Sequence, residues 1–142
     1  MNVAEEVEKS SKSSGGHCCL FVQLSNSEGV KFYHTKKIRD QAANAQRKAS
    51  NLKLGPRVGE FCEMPALQSW HWPHRWPLET TKVYGYITQV AEIRVLTVEE
   101  FDYLQTALIY NSFDVADIDY AFNVGVIDGM PVCIDFDPFP VC

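Results

Sequence analysis

Residues 17–24 and 30–34 are dense in apolar and aromatic positions, and Ser25-Asn26-Ser27-Glu28-Gly29 separates them. Two such runs around a polar, glycine-containing turn predict a β-hairpin. Ile38, Ala42, Ala45, Ala49 and Leu52 then recur at spacings of four, three, four and three. That period places them on one stripe of a helix, with Lys36, Lys37, Arg39, Arg47 and Lys48 on its remaining surface. Gly55-Pro56 predicts the helix end, because glycine tolerates the left-handed position there and proline cannot continue the helix. Residues 57–63 and 82–93 read as strands joined by a long loop. Thr97-Val98-Glu99-Glu100 spells a capping box, and the helix behind it carries an apolar stripe of Val98, Phe101, Leu104 and Leu108. Residues 124–127 and 131–136 flank Asp128-Gly129, a two-residue hairpin turn. The order β-β-α-β-β-α-β-β, with few helices and antiparallel strands, predicts an α+β fold. Residues 1–16 are polar and Ser-rich and are expected to form a flexible segment before a single domain over 17–142.

At 142 residues the chain has the length of one domain. With 46% hydrophobic and 22% charged residues, global disorder and collagen-like repetition are excluded. No apolar run approaches the ~20 residues that span a bilayer, and the first residues contain no apolar signal region. A soluble, cytoplasmic protein without membrane contact is expected. The five cysteines are odd in number, two are adjacent, and none forms a CxxC pair, so they are expected to be buried or incidental thiols. Charge is unevenly spread. All thirteen basic residues lie at or before Arg94, against nine acidic ones there, whereas the stretch from Val95 onward holds nine acidic residues and no lysine or arginine. Such separation implies either an acidic surface for a basic partner or carboxylates for a cation, and it argues against nucleic-acid binding by the C-terminal part. The basic run from Lys36 to Arg57 lacks the interleaved aromatics of a nucleic-acid surface, and no nucleic acid is expected as a partner.

Four pieces of the sequence carry further chemistry. Ser13-Ser14-Gly15-Gly16 precedes a strand, as a phosphate-cradling glycine loop does. Lys31 sits in the strand Gly29-Val30-Lys31-Phe32-Tyr33. Val83-Tyr84-Gly85-Tyr86-Ile87-Thr88-Gln89 looks like the run into an interlobe hinge. Asp117 to Gly125, followed by Ile134-Asp135-Phe136-Asp137, has the spelling of a catalytic loop, a hairpin and a metal-binding Asp-Phe-Gly. In this order the pieces resemble the protein-kinase-like fold in much-shortened form. The resemblance implies an N-lobe-like part over 17–93 and a reduced C-lobe-like part over 94–142. It also implies Gly15, Gly16 and Lys31 at the phosphates of ATP, and Asn123 and Asp135 as ligands of Mg²⁺. The general base falls to Asp117 or Asp119, which flank Ile118 at the position the family gives that base.

The chain departs from the family in ways that matter for chemistry. The helix after Lys31 offers no glutamate to pair with it, only Asp40 and, near the expected place, Gln46. An aspartate, Asp137, replaces the glycine of Asp-Phe-Gly, and five residues after it leave no room for an activation segment. The loop between the middle strands holds all three tryptophans, Trp70, Trp72 and Trp76, among prolines. Exposed, they would anchor a protein partner; buried, they would form a lid over the core. His71 and His74 flank Trp72-Pro73, and the proline removes the helical spacing that a metal pair needs. The expectation is a degenerate kinase-like binding or regulatory protein acting through protein–protein contact. Small stand-alone truncated kinases suggest a virus-encoded protein acting on a host factor in the host cytoplasm. The alternatives are a small Mg-ATP-dependent phosphotransferase and a structural α+β protein with no nucleotide history.

Overall fold

The computed structural model describes residues 2–10, 13–15, 18–116 and 118–136. Its elements are α1 (Val3–Lys9), β1 (Ser13–Gly15), β2 (Leu20–Gln23), β3 (Glu28–Tyr33), α2 (Lys36–Asn51), β4 (Val58–Pro65), β5 (Lys82–Gln89), α3 (Val98–Tyr110), β6 (Val124–Ile127) and β7 (Met130–Cys133). Strands β1 to β5 form one antiparallel sheet in the order β1-β2-β3-β5-β4, and β6 and β7 form a separate hairpin. The α+β class is as the pattern predicts. By contact density the described chain divides into two units, Met1–Asn44 with Val58–Val90, and Ala45–Arg57 with Ala91–Phe136. Helix α2 therefore begins in the first unit and ends in the second, and residues 45–57 group with the second unit rather than with the N-lobe-like part.

In the first unit, strand alternation sends side chains to two covered faces. Leu20, Val22, Val30, Phe32, Val83 and Ile87 form one face, packed against Val7 of α1, Met64 and Trp76. Tyr33 and Tyr86 form the other, packed against Ile38, Ala42 and Ala43 of α2. The N-terminal segment thus corrects the expectation of flexibility over its whole length. Asn2 caps α1 by accepting from the Glu5 N–H at 3.2 Å, Glu5 and Glu6 lie in the first turn, and Val3, Ala4 and Val7 pack on the sheet. The polar composition hides a three-residue apolar stripe. Of the strand expected over 17–24, Leu20–Gln23 pairs with β3.

Helix α2 buries Ile38, Ala42 and Ala49 of its expected stripe, but its buried face is wider and ends earlier. Arg39, Ala43 and Gln46 are buried, while Leu52 is 42% exposed. Gln46 is accommodated because its Nε2 donates to the Pro56 carbonyl at 3.0 Å. The left-handed residue at the helix end is Lys53 (φ 61°), not Gly55. Gly55 is required for space instead: a Cβ there would lie 2.9 Å from the Phe136 ring and 3.1 Å from the Ala49 Cβ.

In the second unit Leu54, Leu96, Phe101, Leu104, Leu108, Val124 and Val126 form the core. The capping box of α3 is present: Glu100 N–H donates to Thr97 Oγ1 at 3.1 Å, and Thr97 N–H donates to Glu100 Oε1 at 2.9 Å. Val98, expected on the buried stripe, is 59% exposed. The Asp128-Gly129 turn takes positive φ at both residues (51° and 78°), which matches the right-handed twist of the flanking strands. Cys19, Cys62 and Cys133 are free thiols, whereas Cys18 is disulfide-bonded, against the expectation of thiols throughout. An odd count without regular spacing argues against a disulfide framework but does not exclude a single bridge.

Thr97→Ala removes the acceptor of the capping box and should lower unfolding stability by ~1 kcal/mol in urea titration.

Candidate functional site

Lys31 lies at the centre of β3, opposite Phe21 on β2 and Tyr86 on β5, and is 8% exposed. Alternation sets it on the same face as Tyr33, the face covered by the first turns of α2. Gly15 lies in β1 opposite Leu20, and Gly16 lies outside the described residues. The carboxylate that α2 offers near this face, Asp40, accepts from Arg39 Nε at 2.7 Å.

The second unit holds the remaining candidates. Asn123 immediately precedes β6 with φ 58°, and its backbone carbonyl accepts from the Ile134 N–H at 3.0 Å. Asp135 is one residue further along, exposed, and its backbone carbonyl accepts from Cys133 Sγ at 3.3 Å. The hairpin register therefore brings Asn123 and Asp135 to adjoining strand ends. Asp119 is exposed and committed to a local turn. Its Oδ1 accepts from the Tyr120 N–H at 2.7 Å, and its backbone exchanges hydrogen bonds with Phe122. Asp117 lies outside the described residues. Among the described residues no group of three His, Cys, Asp or Glu side chains comes together to hold a metal ion. One amide and one carboxylate suit Mg²⁺ only where substrate phosphates and water complete an octahedral shell.

The tryptophan loop closes over the sheet. Trp76 is 4% exposed and its Nε1 donates to the Cys18 carbonyl at 2.8 Å. Trp72 is half-buried, donates to the Leu67 carbonyl at 3.1 Å and packs 6.0 Å from Trp76. Trp70 is half-buried with its ring 5.5 Å from that of Phe32. The lid reading describes these rings, and Trp76 in particular is held inside the fold.

Sequence reasoning placed Arg39 on the helix surface. In the structure it is 4% exposed, and its Nη1 donates to the carbonyls of Cys62 (3.3 Å) and Gly85 (3.2 Å), on β4 and β5. Its guanidinium lies 4.2 Å above the Phe61 ring. The aromatic partners Phe61 and Tyr84, spaced along neighbouring strands, were the available signal. Burial pushes the Cys62 thiol up to about 11 despite the nearby Arg39, so the sulfur stays protonated and unreactive. His34 Nδ1 is buried with no hydrogen-bond partner, and burial lowers the pKa of the ring. In the second unit Arg94 grips Glu100 with two parallel bonds of 2.8 and 2.7 Å, which together with the Thr97 N–H hold the Glu100 carboxyl down at about 2.

No family model matches the chain, and no curated protein and no solved structure matches it. No helix among the described residues is long and apolar enough to cross a membrane.

Three measurements follow from this geometry. Trp76→Ala, which empties a buried ring site and orphans the Cys18 carbonyl, should cost ~3–5 kcal/mol in denaturant unfolding, and Trp72→Ala, half-buried, distinctly less. Protonating His34 is harder in the folded chain, so its contribution to stability is full above the ordinary pKa of 6.5 and is lost as pH falls below it. Glu100 has a depressed folded pKa, so its contribution is present above the ordinary value of 4.5 and is lost as pH falls from there towards 2. Stability measured against pH should show two acid-side declines, the upper one absent in His34→Gln and the lower one reduced in Glu100→Gln, the Glu63 carboxylate, lowered by its bond to Lys82, supplying the remainder.

Proposed function

We propose that the chain is a degenerate kinase-like module that acts by binding a protein partner rather than by transferring phosphate. The kinase-like part of the reading is supported by order and placement. A lysine-bearing third strand is followed by a helix and two further strands in the sheet order β1-β2-β3-β5-β4. A helix and a hairpin follow, and that hairpin is bracketed by Asn123 and Asp135.

The degenerate part is supported by what those positions contain. The carboxylate on α2 is tied to Arg39, and the helix has no glutamate for Lys31. Asp119 is spent on its own turn. The binding part is carried by one observation. Of the twelve large hydrophobic residues exposed among the described residues, all but Phe61 and Leu78 lie in the second unit. This is the unit whose residues from Val95 onward carry only acidic charge. The unit as a whole has nine acidic residues against five basic ones, Arg47, Lys48, Lys53, Arg57 and Arg94, and exposed apolar residues with an acidic excess support docking of a basic protein.

The second reading is a Mg-ATP-dependent phosphotransferase using Lys31, Asn123, Asp135 and Asp117 or Asp119. It is favoured by the register that brings Asn123 and Asp135 to adjoining strand ends. Thermal unfolding with ATP, with and without Mg²⁺, separates the two. The binding-module reading gives no Mg²⁺-dependent change. The phosphotransferase reading gives a stabilisation of about 2.7 kcal/mol at ATP one hundredfold above Kd, abolished by Asp135→Asn.

A further inference from the structure

In the second unit an isolated bridge at Glu92 joins the segment 91–96 to β6, outside the named strands. Glu92 exchanges both backbone hydrogen bonds with Val126 (2.9 and 2.8 Å), and the Leu96 N–H donates to the Tyr120 carbonyl at 2.8 Å. An extended chain that turns the backbone groups of residue 92 inward turns those of its odd-numbered neighbours outward. Among the described residues the Ile93 N–H and C=O and the Val95 N–H make no hydrogen bond, and the Val95 carbonyl accepts from its neighbour Arg94 at 3.1 Å. Both side chains are 64% exposed, and Phe122, two residues from the Tyr120 that Leu96 bonds, is 62% exposed. Ile93 leans towards Gly125, where the absence of a Cβ leaves β6 flat.

The other long edge in the chain, β4, is guarded. Its register shifts between Val58 and Phe61, it ends at Pro65, and Glu63 pairs with Lys82 at 3.0 Å. The 91–96 edge has no proline and no register shift, and its one ion pair is Arg94 with Glu100. Its surroundings are acidic, with Glu92, Glu99 and Asp119 exposed. The single cation, Arg94, is already neutralised by Glu100.

We propose that the 91–96 edge is a strand-addition site that takes an extended segment of a protein partner, alternating apolar and basic residues. This rests on the binding-module reading and names the surface it uses. The partner's backbone pairs with Ile93 and Val95, its apolar side chains cover Ile93, Val95 and Phe122, and its cations meet the carboxylates. Two copies of this edge facing each other would set Glu92 and Glu99 against their own kind, which disfavours self-pairing.

The test uses the full chain and a short synthetic peptide alternating lysine and valine, read by residue-resolved amide hydrogen exchange. The peptide should slow exchange at Ile93 and Val95 by about tenfold or more at saturation, and added salt should weaken the effect. Val95→Pro deletes the outward N–H at a position where an edge tolerates proline, and it should abolish protection with the far-UV spectrum unchanged. Ile93→Lys, at an exposed side chain, should weaken binding by repelling the peptide. The proposal is overturned by absence of protection, by protection centred on β4, by equal protection from a glutamate–valine peptide, or by protection that grows with protein concentration alone. A Mg²⁺-dependent ATP stabilisation overturns the binding-module reading without touching the exchange result, so the two failures are distinguishable.

Discussion

The first unit is governed by the pairing of β3 with β5 at the middle of a sheet covered on both sides. A strand with one wet face needs only alternate apolar residues, but β3 is buried at every position from Val30 to Tyr33, and β5 from Gly85 to Thr88. Each cover follows from that requirement. The tryptophan loop and α1 seal the face of Val30, Phe32, Val83 and Ile87, and the first half of α2 seals the face of Tyr33 and Tyr86. The burial of Lys31 belongs to the same constraint, since a lysine in a doubly covered strand has no wet side to reach. Arg39 ties α2 to the sheet through carbonyls on β4 and β5, and this gives a buried cation polar partners where an apolar residue would leave those carbonyls less well served.

Periodicity made most elements legible, because a strand or helix with one buried stripe writes that stripe into the chain. The capping box at Thr97 and the Asp128-Gly129 turn were legible for a stronger reason: each is a local device whose partners lie within a few residues. What escaped was set by distant neighbours. Arg39 is indistinguishable from Lys36 or Lys37 until β4 and β5 supply carbonyls and rings. Val98 fits the apolar stripe of α3 yet faces outward, because the core of the second unit needs only Phe101, Leu104 and Leu108. Residues 91–93 continue the alternation of β5 in letters, but Glu92 leaves that sheet to bridge Val126. The candidate site was half legible. The residues around the hairpin could be named from spacing, whereas the commitment of Asp119 to a turn and of Asp40 to Arg39 depends on hydrogen bonds that spacing does not encode.

The two units handle charge and apolar surface in opposite ways. The first hides its aromatics, Trp76 most completely, and keeps its lysines and arginines among acidic neighbours such as Glu63 and Asp40. The second leaves Ile93, Val95, Val98, Ile109 and Phe122 in contact with water and carries nine acidic residues against five basic ones. Isolated exposed apolar residues are ordinary; here most of the exposed large ones among the described residues fall in one unit.

At the centre of β5 the chain has no side chain where one would ordinarily fill the gap between strands. A methyl group at Gly85 would sit 2.7 Å from the Lys31 carbonyl and 2.7 Å from the Phe32 ring. The ring of Phe32 lies over that bare stretch of backbone, and the indole of Trp70 leans on it from beyond. The seating of a long surface loop thus traces back to one absent carbon in the strand beneath, so that the smallest residue in the sheet fixes the position of some of the largest.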